Sequence, residues 1–197
     1  MKKTSFFGKA LFGAAVVTMS LGAVSCKDNK ETDPKEVAEE ENEMKFDDND
    51  AKEDDAEYLV SAASMDMKEI ELGKLAQQKG SHADVKAFGK MMEDAHTKSL
   101  NDIKSTAEAK NISLPAGTPE KVQDKYEDLN EKSGADFDKK YADQMVKMHE
   151  KAADKMQEIS EKANDPDIRM WAANMLPEIR KHHEEAKALQ AKVDAVK

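Results

Sequence analysis

From Ala56 to the C-terminus, apolar residues recur every three or four positions with few interruptions. A period near 3.6 places such residues on one face of an α-helix. Runs rich in Val, Ile, Thr and aromatics, which would build strands, are missing. With 37% charged and only 5% aromatic residues, the composition also suits long helices.

The punctuation predicts four long helices. Helix A is expected over 56–79, ending at Gly80, with Tyr58, Ala62, Met65, Glu69, Leu72 and Ala76 on its inner stripe. Ser81 can cap helix B and Asp84 stands in its first turn. Helix B carries Val85, Phe88, Met92, His96, Ser99 and Ile103 inward and ends near Asn111. Helix C is expected over 136–163, with Phe137, Tyr141, Met145, Met148 or His149, Ala152, Met156 and Ile159 inward. After the turn 164-NDP-166, Pro166 suits the first position of helix D, where its missing N–H costs nothing. Helix D runs to near Val196, and Pro177 inside it predicts a kink rather than a break, because the stripe continues past it.

The A–B and C–D turns are short. The B–C link is long: 112-ISLPAGTP-119, then a short helix over 120–132. That is the pattern of an all-α, ferritin-like four-helix bundle whose B–C crossover returns along the bundle. An up-down bundle with a decorated loop is the alternative.

Residues 1–25 have the layout of an export signal, with Lys2, Lys3 and Lys9 ahead of the apolar run Ala10–Val24. The run is short for a membrane-spanning helix. The single cysteine of the chain, Cys26, closes 21-LGAVSC-26, which resembles the lipobox of bacterial lipoproteins, with Ala23 where Leu is commonest. The resemblance implies a lipidated Cys26, and several acyl chains on one residue anchor a protein stably to a membrane. Lys27 rather than Asp follows the cysteine, which favours the outer membrane within the cell envelope. With no second cysteine there is no internal disulfide.

Residues 26–55 read as an acidic tether. The stretch 27–57 holds 15 acidic residues against 5 lysines. Low hydropathy and self-repulsion predict an extended, disordered segment. This charge argues against nucleic acid as a partner, because phosphates would be repelled. The folded bundle is then expected over 56–197.

Four polar residues interrupt the apolar stripes: Glu69 on A, His96 on B, His149 on C and His182 on D. At about 1.5 Å rise per residue, the three histidines each lie roughly 24 Å from their hairpin turns, near mid-bundle. Glu69 lies about 7 Å off that level by the same measure, and helical side chains lean toward their own N-terminus, which brings Glu69 toward His96. A carboxylate and imidazoles buried together need satisfied partners. One Glu and three His suit a divalent transition metal such as Zn or Fe. A buried hydrogen-bond network is the plainer alternative. His82 and His183 are expected to face solvent.

A ferritin-type di-iron site needs Glu-x-x-His on both B and D. Helix B has 93-EDAH-96, but in helix D Ile179 precedes His182 by three and Arg180 precedes His183. Helix C offers only Glu150, one step round from His149. An oxidase or ferroxidase is therefore disfavoured. No nucleophile elbow or Gly-rich phosphate loop is present in the sequence. The 12 methionines mostly fall on the stripes as adaptable core fillers.

The segments 69-EIELGKLAQQK-79, 88-FGKMMEDAHTK-98, 134-GADFDKKYADQMVKMHE-150 and 176-LPEIRKH-182 resemble a bacterial, ferritin-like family catalogued as a domain of unknown function. The resemblance covers about residues 55–192. It implies an exported four-helix bundle with no established activity. It also implies recurrence of the residues that stand here as Glu69, His96, His149 and His182. The family often has Asp directly before the helix-B histidine; here Ala95 stands there and Asp94 one step earlier.

Together these readings favour an envelope lipoprotein acting as a binding or stress-related module rather than an enzyme, with a polar centre at mid-bundle that a divalent transition metal could occupy. The alternatives are a metal-dependent oxidase or peroxide-handling enzyme on a degenerate site, and a purely structural or interaction module.

Overall fold

A computed structural model of the chain describes residues 32–196. The expected export signal and Cys26 lie outside the described residues. The described residues form six helices and no strand: α1 (Pro34–Phe46), α2 (Asp50–Lys79), α3 (Ala83–Ala109), α4 (Glu120–Asn130), α5 (Gly134–Lys162) and α6 (Pro166–Ala195). Helices α2, α3, α5 and α6 are the expected A, B, C and D. Pro177 sits inside α6, which runs unbroken past it. Among the described residues, no helix is long and apolar enough to cross a membrane.

The first difference from the sequence reading is α1. Much of the stretch expected to be extended and disordered is helical, because three residues at i, i+4 and i+8 give it an inner face. Ala38, Asn42 and Phe46 are buried, and α1 packs on α2. The Asn42 amide brackets the backbone of Ser113, donating to its carbonyl at 2.9 Å and accepting from its N–H at 2.7 Å. Asp33 caps α1 at Lys35 N (2.8 Å) and reaches Glu120 N at the start of α4 (3.0 Å). The acidic residues that suggested disorder, Glu36, Glu40, Glu41 and Glu43, are α1's solvated face. Helix α2 likewise begins at Asp50, with Asn49 accepting from Lys52 N.

Two hairpins, α2–α3 and α5–α6, make up the bundle. Lys110, just past α3, reaches Asp165 and Asp167 at the α5–α6 turn (2.5 and 3.2 Å). Asp138, near the start of α5, reaches the α2–α3 turn. Helices α3 and α5 therefore run in the same direction, and residues 110–133 return along the length of the bundle. Helix α4 lies on α2 and α5 during that return, burying Val122 and Leu129.

The two hairpins repeat one another at a constant offset of 83 residues. 55-DAEY-58 pairs with 138-DKKY-141, and 84-DVKAFGKMM-92 with 167-DIRMWAANM-175. The hydrogen bonds repeat too. Asp55 accepts from the N–H groups of Asn164 and Asp165 at 2.7 and 2.8 Å. Asp138 accepts from those of Ser81 and His82 at 2.9 and 2.8 Å, and from the Ser81 hydroxyl. Each hairpin thus supplies a carboxylate that satisfies the free amides of the other's helix start.

Within α2–α3 the backbones nearly touch. A Cβ added to Gly73 would lie 2.6 Å from the Gly89 carbonyl oxygen, and one on Gly89 would lie 2.7 Å from that of Gly73.

Apolar packing divides into two clusters. One, around Leu59, Ile103, Ile159 and Ile168, fills the end with the α5–α6 turn. The other, around Leu72, Phe88, Phe137 and Leu189, fills the opposite end. Along α3, α5 and α6 the boundary between them falls at His96, His149 and His182; on α2 it falls between Ile70 and Leu72, just past the buried Glu69.

Candidate metal centre

His96 on α3, His149 on α5 and His182 on α6 converge at that boundary. One ring nitrogen from each lies within 4.8 Å of the others. Ring centroids are 5.8 Å apart for His96–His149, 5.9 Å for His96–His182 and 5.5 Å for His149–His182. The three residues are 4%, 0% and 4% exposed.

Partners on the far side orient two of the rings. His149 Nδ1 lies 2.9 Å from the Met145 carbonyl oxygen. A carbonyl only accepts, so Nδ1 carries the proton, and in the neutral ring Nε2 is left as a bare acceptor. Nε2 is buried and has no partner. His96 Nδ1 lies 2.7 Å from Asp66 Oδ1, and its Nε2 is also buried without a partner. His182 has an unpartnered, buried Nδ1, while its Nε2 is 4.0 Å from Glu178 Oε1.

Glu69 is 3% exposed. Its Oε1 is 3.9 Å from His149 Nδ1, and its Oε2 is buried without a partner. It stands beside the three histidines, outside the set whose nitrogens converge.

Asp66 is the residue that stripe reading missed. The inner face of α2 runs Ala62, Asp66, Glu69, Gly73, so Asp66 is buried while Met65 is only partly so. The available signal was its spacing, one turn before Glu69. Asp94 is exposed and pairs with Lys90, so the carboxylate on His96 comes from the neighbouring helix. Glu93, the acid of 93-EDAH-96, accepts from Gln77 Nε2 at 2.7 Å instead of joining the histidines. His82 and His183 are half-buried rather than facing solvent freely; His82 Nδ1 caps α3 by accepting from Asp84 N.

Burial sets the charge states. It pushes the Asp66 carboxyl above its usual range, against the hydrogen bond to His96. Burial opposes the charged form of His96 too, but the bond to Asp66 and the nearby Glu69 carboxylate outweigh it and raise His96. His182 has no such carboxylate at bonding distance. Burial, then the positive charges of His149 and His96, push it down to about 3. Its ring is therefore neutral at ordinary pH, as a metal ligand must be.

With the rings neutral, one nitrogen from each of the three buried histidines forms a donor set suited to Zn, Cu, Fe or Ni. An unsatisfied buried acceptor costs roughly 1–3 kcal/mol, and one cation shared by the three rings relieves all of them. Asp66 and Glu69 bring carboxylates to offset its charge. The residues present therefore fit a divalent transition metal.

The chain matches no curated protein and no solved structure. Its residues 41–189 match the family model described as Domain of unknown function (DUF4142), and the chain belongs to that family.

Proposed function

We propose that this domain is a ferritin-like bundle that binds one divalent transition metal through His96, His149 and His182, and that it works in the cell envelope, anchored by a lipid on Cys26. The observation that carries the metal reading is the convergence of one ring nitrogen from each of three buried histidines, in rings whose His96 Nε2, His149 Nε2 and His182 Nδ1 are buried without a hydrogen-bond partner. Asp66 on the back of His96 supports it, since carboxylates so placed fix ring orientation and strengthen the ligand. The crossover topology and the four long helices support the ferritin-like assignment.

Zn²⁺ suits three imidazoles plus a fourth ligand, and Glu69, whose Oε2 is buried without a partner, is a candidate for it. Iron is the alternative. Binding is favoured over turnover because Glu93 bonds Gln77 instead of supplying the acid of a di-iron site. In the chain's own chemistry, His96, His149 and His182 would hold the ion, Asp66 and Met145 would hold the rings, and the two apolar clusters would keep water away.

The anchor rests on Cys26 alone. Asp33 lies seven positions after it, a reach of about 25 Å at most. A lipidated Cys26 would therefore hold the start of α1 close to the bilayer. Metal analysis of the protein and of a double histidine variant tests the binding reading. Labelling with a radioactive fatty acid, lost in Cys26→Ser, tests the anchor.

A further inference from the structure

A buried site needs a way in. The α2–α3 seam is closed by the Gly73–Gly89 backbone contact, and α4 covers the α2–α5 face. The seam between α3 and α6 instead opens into a groove of about 310 Å³, lined by Phe88, Met91, Glu185 and Leu189, with Asp84 and Lys192 beside them.

Phe88 is both a wall of this groove and a neighbour of the centre. Its ring meets His149 edge-on, with centroids 6.4 Å apart. One aromatic side chain thus stands between the groove and a fully buried histidine. On α6, Glu185 lies three residues after His182, on the groove side of the centre. Its Oε1 is 3.6 Å from Lys181 Nζ, and its Oε2 is buried without a hydrogen-bond partner. The other groove carboxylate, Asp84, is engaged by Lys192 at 2.5 Å.

We propose that the α3–α6 groove is the route by which a divalent cation reaches the three histidines, with Glu185 as the capturing carboxylate and Phe88 as the gate. This rests on the metal reading of the centre. A hydrated cation does not cross apolar packing with its water shell intact, so it needs an oxygen ligand where it sheds water and a side chain that moves aside. Glu185 offers the first at the mouth. Rotation of the Phe88 ring away from His149 provides the second. A gate slows capture and release alike and leaves the equilibrium nearly unchanged, whereas a capturing carboxylate speeds capture in a salt-dependent way.

The test is stopped-flow loading of the metal-free, full-length protein with Co²⁺, read by its visible absorption, and release into excess chelator. Phe88→Ala is expected to speed both phases several-fold, with unchanged stoichiometry. Phe88→Leu, which keeps most of the packing, is expected to do so more weakly and decides the matter if the Ala variant does not fold. Glu185→Gln is expected to slow loading several-fold at low salt and not at high salt. Glu127→Gln, an exposed change on α4 across the bundle, is the control. Wild-type rates in the Phe88 and Glu185 variants, or equal slowing by Glu127→Gln, would overturn the route while leaving the centre intact. A wild type that binds no ion would overturn the route and the metal reading together.

Discussion

Asp66 Oδ1 stands 2.7 Å from Nδ1 of His96. The contact joins two neighbouring helices across a buried boundary and decides which way His96 presents its lone pair. A carboxylate accepts, so His96 must donate from Nδ1, and the free Nε2 is the nitrogen left for a ligand. In Asp66→Asn the amide can donate to Nδ1, which moves the ring proton to Nε2. The expected result is a loss of metal affinity of roughly 10–100-fold in a protein that still folds. A competition titration against a chromophoric chelator measures it, and unchanged affinity would remove Asp66 from the centre.

The metal-free protein carries a pH signature of His182. Its folded pKa is about 3, against about 6.5 for an unfolded histidine. Between those values the unfolded chain binds a proton that the folded chain refuses, so stability falls as pH drops from about 6.5 toward 3. His96 and Asp66, both raised, act in the opposite sense, because their protonated forms are favoured by folding. Replacing His182 by Leu removes the acid-destabilising contribution. In urea denaturation with chelator present, His182→Leu should lose less stability between pH 7 and pH 5 than wild type. Equal losses would mean that His182 is not held neutral.

The close approach of α2 and α3 makes a sharp steric prediction. Gly73→Ala and Gly89→Ala each drive a methyl group into a backbone oxygen under 3 Å away, so the helices must separate. Overpacking of this kind costs about 1–3 kcal/mol or more. Gly117→Ala, where the nearest atom is Pro34 Cγ at 3.7 Å, should stay within about 0.5 kcal/mol of wild type. Thermal melts separate the two classes.

The reciprocal caps predict matched losses. Asp55→Ala and Asp138→Ala each leave two backbone amides without their acceptor, at a cost of about 1–3 kcal/mol each. The two caps sit at opposite ends of the bundle, so the double variant should show nearly additive destabilisation. A strongly non-additive double variant would show that the hairpins do not dock as two separate ends.

The histidines were legible in the sequence because each is a polar residue where an apolar one is due, and turn-to-residue distances placed all three at one height. Glu69 was legible for the same reason, although it stands beside the set. Asp66 was hidden by its neighbour: Met65 is the more hydrophobic of the two and drew the stripe toward itself, while a turn of α2 buries the carboxylate instead. Helix α1 was hidden by charge, since its inner face consists of only Ala38, Asn42 and Phe46 amid acidic residues. The hairpin repeat was hidden by divergence. Only eight of the 46 positions paired between 55–100 and 138–183 are identical, and the equivalence becomes plain only when Asp55 and Asp138 are seen making the same bonds. That repeat also shows the centre to be asymmetric: the position equivalent to His149 is Asp66, and that equivalent to His96 is Ile179.

If His96, His149 and His182 hold a metal, removing two of them must remove it. Elemental analysis of the full-length protein, purified without chelators, beside a His96→Ala/His149→Ala variant tests it most directly. Close to one divalent transition metal per chain is expected in the first and none in the second. No metal in either, even after loading with Fe²⁺, Zn²⁺ and Mn²⁺, would contradict it and leave the histidines as a hydrogen-bonded seam between two apolar clusters.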